Sequence, residues 1–89
     1  MQIIKTLYSN MTTPKFPEDF HVKSHPVVPG ATQWTYPQDK TVISIVGGGY
    51  GLYGDGVRTF EMYDFREDGP QGHLLVEEIN EHLQNNPIE

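Results

Sequence analysis

There is no cysteine in the 89 residues, so neither disulfides nor thiolate metal sites contribute to this fold. That absence fits a reducing compartment, and a cytoplasmic location is the expectation. Cations are also scarce: six Lys and Arg stand against twelve Asp and Glu, giving a formal net charge of −6. The imbalance is local. Residues 1–45 hold four lysines and three acids, whereas residues 46–89 hold two arginines and nine acids. A phosphate backbone demands clustered cations, so direct nucleic-acid binding is not expected of this chain. No segment approaches the roughly 20 apolar residues that span a bilayer, and MQIIKTLYSNM has neither the apolar core nor the cleavage site of a signal peptide. The chain therefore reads as one small domain over residues 1–89, with no membrane partner.

What the sequence does have is concentrated in Thr41–Phe65, TVISIVGGGYGLYGDGVRTFEMYDF. Val42, Ile43, Ile45 and Val46 are four β-branched apolar residues within five positions, the signature of a central strand covered on both faces. Residues 47–56 contain six glycines, too many for a helix, and make a long hairpin connection. A second strand is expected over Val57–Phe65, with Phe60 and Met62 in the core and Tyr63 and Phe65 on the other face. Ala31–Tyr36 forms the strand before it, joined through Tyr36-Pro37-Gln38-Asp39, which suits a type I turn.

The flanking stretches carry weaker signals. Residues 2–8 fit an edge strand, and the prolines at 14 and 17 favour a loop that tucks Phe16 and Phe20 against the body. Phe20–Val28 suits a short edge strand that stops before Pro26. Arg66–Gly72 is charged and holds two glycines and Pro70, so a loop is expected there. Leu75, Ile79 and Leu83 recur every four residues, with Val76 widening the stripe, which predicts a helix over 75–84. Asn85-Asn86-Pro87 stops it. No Ser, Thr, Asp or Asn stands at its start to cap it. The expected fold is α+β: a three- or four-stranded antiparallel sheet with one C-terminal helix packed across it.

Motifs for chemistry are thin. Gly49–Gly54 matches GxGxxG, but a dinucleotide loop must open a helix, and a β-like run follows here instead. His21 and His25 lack the intervening acid of a zinc HExxH pair. Asp55, Asp64, Glu67 and Asp68 lack the ordered spacing of a calcium loop. Ser9, Ser24 and Ser44 have no nucleophile elbow or local base. No cofactor, metal or catalytic residue is assigned on these grounds, and an unassigned small enzyme ranks behind two binding readings. The first is a non-enzymatic protein that binds another macromolecule, as an inhibitor or accessory factor. Its partner-binding residues are Tyr50, Leu52, Tyr53 and Asp55 on the loop and Glu77, Glu78 and Glu81 on the helix. Exposed strand edges also leave room for a homodimer. The alternative is a small-ligand-binding domain that uses the glycine-rich loop.

Overall fold

A computed structural model describes residues 13–49 and 54–88. Among these residues, five strands, β1 (His21–Ser24), β2 (Thr32–Tyr36), β3 (Ile43–Gly47), β4 (Phe60–Asp64) and β5 (Gln71–Leu74), are followed by one helix, α1 (Val76–Asn85). All five strands join one antiparallel sheet in sequence order, so β3 is central and β1 and β5 are its edges. The class is α+β as expected, but with five strands rather than three or four. The extra strand, β5, begins inside the stretch read as loop, at Gln71 and Gly72, and continues through His73 and Leu74. Gln71-Gly72-His73-Leu74 has no apolar alternation, and a register shift between Phe60 and Met62 accommodates its pairing with β4. Tertiary pairing, not local preference, makes it a strand.

Every residue of β3 is buried, as its β-branched run implies. Ile43 and Ile45 face the side that carries the core, where they meet Phe60 and Met62 from β4 and Ile79 and Leu83 from α1. Phe16 and Phe20 close the same cluster from the preceding loop. Phe16 sits edge-on to three rings, Phe20, Trp34 and Phe60, at centroid distances of 5.3, 5.5 and 5.1 Å. Such edge-to-face pairs set ring edges against ring faces and add to the gain from burial. The loop is bolted to α1 by Asn80, whose Oδ1 accepts the Phe16 N–H at 2.8 Å and whose Nδ2 donates to the Phe16 carbonyl at 3.0 Å.

Three boundaries differ from expectation. The strand expected from Val57 starts only at Phe60, because Asp55 folds the chain into a turn first. The β2–β3 connection is wider than a type I turn: the Tyr36–Pro37 peptide is cis, and the Val42 N–H closes back on the Tyr36 carbonyl at 2.9 Å. The helix is shifted by one residue from the expected 75–84, starting at Val76 with Leu75 as its cap position and ending at Asn85. Lacking a side-chain acceptor there, the start relies on Glu78, whose Oε1 accepts the Leu75 N–H at 2.8 Å. The edge strand expected over residues 2–8 lies outside the described residues.

The glycine-rich connection has a tight neck. Gly48 N–H donates to the Gly54 carbonyl at 3.1 Å, and Gly47 packs directly on Gly56. A β-carbon on Gly47 would lie 2.6 Å from the Gly56 Cα, and Gly56 itself has φ +77°. Both positions therefore exclude any side chain, one by contact and one by contact and backbone conformation. Gly47→Ala is expected to destabilise by more than about 1 kcal/mol, since native geometry is incompatible with the added methyl. Ile79→Ala or Leu83→Ala should each cost about 2–5 kcal/mol by emptying the core. Urea unfolding of the three variants checks both, and an unaffected Gly47→Ala midpoint would contradict the neck packing.

Candidate functional site

Asp64, at the end of β4, is the one buried carboxylate among the described residues, and it carries the densest polar constellation there. Its position follows from parity. Phe60, Met62 and Asp64 share a face, so Asp64 is carried under the sheet beside α1 instead of into solvent. Arg66 reaches back with a two-pronged bond, Nε to Oδ1 at 3.0 Å and Nη2 to Oδ2 at 2.8 Å. The Arg66 amide adds a third donor to Oδ1 at 2.9 Å. From α1, His82 Nε2 lies 2.8 Å from Oδ2. A carboxylate can only accept, so the ring proton must sit on Nε2.

Burial works to raise the Asp64 pKa, but the hydrogen bonds from Arg66 and His82 overcome it and hold the carboxyl far below its usual range. The same pairing raises the Arg66 pKa, chiefly through the hydrogen bonds to Asp64. Arg66 spends its remaining donors on the end of the helix, Nη1 to the Pro87 carbonyl at 3.1 Å and Nη2 to the Asn86 carbonyl at 3.0 Å. A cation beside a helix C-terminus also meets the negative end of its dipole. The constellation thus ties β4 to α1 at two points. It is a clamp.

Asp64, Glu67 and His82 bring one ligand atom each within 4.8 Å of the others. Arg66, however, already supplies the positive charge at Asp64, and the His82 nitrogen nearest the carboxylate bears a proton. A divalent ion would have to displace both, so the residues do not fit a metal. Of the acids grouped in the sequence, Asp64 and Glu67 do approach His82, at 2.8 and 3.9 Å. His25 serves a turn instead, its Nδ1 accepting the Val27 and Val28 amides at 3.1 and 3.0 Å. Ser44 is buried and accepts a bond from Gln33 Nε2 at 3.0 Å, with no base oriented toward it.

Tyr50, Leu52 and Tyr53 lie outside the described residues. Asp55 is exposed, but its Oδ1 accepts three backbone amides, from Val57 and Arg58 at 2.8 Å and from Thr59 at 3.1 Å. Those bonds, Thr59's first among them, lower its pKa to about 2. The amides that would cradle an anion beside the neck are therefore already filled by the chain's own carboxylate. Glu77, Glu78 and Glu81 are exposed on α1, with Glu78 also closing its first turn. Trp34 packs against the core and Tyr36 against Phe20, while Tyr63 lies on the opposite face of the sheet, so these rings do not form one surface.

That opposite face shows the feature least explained by folding. Tyr63 and Phe65 are 40% and 58% exposed and stack with centroids 5.1 Å apart. Their alternation with Met62 and Asp64 was readable in the sequence; the stacking was not. A polar cleft of about 660 Å³ lies elsewhere, between Thr13-Pro14-Lys15 and Asn80, Gln84 and Asn85 of the helix. No helix among the described residues is long and apolar enough to cross a membrane. No family model, curated protein or solved structure matches this chain.

The clamp makes a pH prediction. Asp64 has a folded pKa below its unfolded value of about 3.9, so its contribution is complete above about pH 4 and lost as pH falls through the folded pKa. Asp64→Asn should lower stability at pH 7 by about 2–3 kcal/mol, because Arg66 and His82 lose a buried partner. The gap between the two proteins should narrow below pH 4. Urea unfolding from pH 2.5 to 7 measures it, and a gap that stays constant would remove Asp64 from the clamp.

Proposed function

We propose that this is a non-enzymatic binding protein whose partner is another protein. The observation that carries the reading is the stacked, solvent-facing Tyr63–Phe65 pair on the sheet face opposite α1. Exposed rings of this size are costly to leave in water, and aromatic side chains are enriched among the residues that dominate protein interfaces. The pair is also preorganised. Stacking, with Tyr63 on β4 and the Phe65 N–H bonded to the Val42 carbonyl at 2.9 Å, holds both residues before a partner arrives, so little side-chain entropy is left to lose on binding.

Charge narrows the partner. Phe65 is followed, after the clamp residue Arg66, by the exposed Glu67 and Asp68, and the chain as a whole carries −6. A partner surface with an apolar recess beside lysine or arginine complements that pattern, and its association would slow as salt rises. Glu77, Glu78 and Glu81 remain a second acidic surface on α1, across the sheet from the aromatic pair. An inhibitor or accessory role is compatible with either surface.

Substitution separates the two. Tyr63→Ser with Phe65→Ser removes the rings without touching the buried side of β4. A partner captured from native extract by the parent chain is expected to be lost to this double variant, with the circular dichroism and unfolding midpoint little changed. Glu77→Lys with Glu81→Lys should leave that capture intact. Equal recovery by the parent and the Tyr63/Phe65 variant would overturn the proposal.

A further inference from the structure

Among the described residues, the two edges of the sheet are not equivalent. The β5 edge is irregular: its register with β4 shifts between Phe60 and Met62, and His73 has φ +57°. Such an edge cannot offer a regular ladder to another chain. The β1 edge is regular, and all four of its residues are exposed. In an antiparallel pair, hydrogen-bonded and non-hydrogen-bonded positions alternate. His25 N–H donates to the Ala31 carbonyl at 2.9 Å, and that pair continues the β1–β2 register. His21 and Lys23 therefore bond to β2, while the N–H and C=O groups of Val22 and Ser24 point away from the sheet.

We propose that β1 is a strand-addition edge for an extended peptide that places a carboxylate opposite Lys23 and an apolar residue opposite Val22. This surface lies apart from the Tyr63–Phe65 pair and stands independently of it. Val22 is 55% exposed and directly opposite Trp34 on the core-bearing face, so an apolar neighbour would extend the cluster at its margin. Lys23 projects from the other face, and no ion pair engages it among the described residues. An added strand would meet Lys23 at a non-hydrogen-bonded position, where side chains lie closest and opposite charges gain most.

The same lysine argues against a second copy of this chain. Outward-facing groups allow antiparallel self-pairing with Val22 opposite Ser24, with Val22 opposite Val22, or with Ser24 opposite Ser24. The first sets Lys23 against Lys23, the second sets Lys23 against His21, and the third sets Lys23 against His25. The first opposes two ammonium groups, and none of the three sets Lys23 against a carboxylate. Edge lysines are a common guard against self-association for this reason, and the guard is itself complementary to an acidic strand.

The test is an NMR titration of the isotope-labelled full chain with two capped hexapeptides, TVEVTT and its counterpart TVKVTT. Amide shifts are expected at residues 22–24, with the acidic peptide binding at least about fivefold more tightly at low salt. Lys23→Glu should invert that preference. Val22→Pro should abolish binding by either peptide, because it deletes an outward N–H without removing a bond to β2. Tyr63→Ser with Phe65→Ser should leave the titration unchanged, which separates this edge from the aromatic surface. Shifts that avoid β1, or equal affinity for the two peptides, would overturn the proposal. So would a dimer in sedimentation that Val22→Pro dissolves, since the edge would then belong to a second copy.

Discussion

Burial of one strand on both faces is the constraint from which the rest of this structure follows. β3 can satisfy its backbone only between two other strands, and its side chains only under a covering layer. β2 and β4 supply the first, and on the Ile43–Ile45 face α1 with the Phe16–Phe20 loop supplies the second. The aromatic rings then fill the space between loop and sheet, with Phe16 touching three of them. In so short a chain the core is small, so each large side chain carries a sizeable share of the apolar burial.

Asp64 solves a problem that this packing creates. The alternation that sends Phe60 and Met62 into the core sends Asp64 there as well. A lone carboxylate in that place would be costly, and the chain answers with Arg66 and His82. Arg66 then does more than neutralise: its other donors hold the carbonyls past the end of α1. One polar group thus ties the C-terminal end of the helix to the end of β4. Asp55 performs a smaller version of the task, collecting three amides so that the chain can turn into β4.

The glycines illustrate how a motif is reassigned by its surroundings. Read alone, a glycine-rich loop after an apolar strand invites thoughts of a phosphate. In the fold, Gly47 and Gly56 are in backbone contact, and the nearby amides are spent on Asp55. The requirement for glycine is then steric closure of a hairpin neck. Surface chemistry shifts to the aromatic pair on one face and the regular edge at β1, two features that no linear motif announces.

Periodicity made β3, the core positions Phe60 and Met62, and the stripe of α1 readable without coordinates, because each depends on residues adjacent in the chain or one turn apart. The opposite faces of Met62 and Tyr63 were readable for the same reason. β5 was not, since Gln71–Leu74 becomes a strand only when β4 offers a partner. Nor was the clamp: Asp64 and Arg66 are two apart, but His82 joins them across 18 residues, and only helix docking brings it there. The sequence alone determined which residues leave water and with what period. The tertiary structure decided which polar groups must follow them and who answers their charge, because those costs arise only once distant segments share one low-dielectric interior.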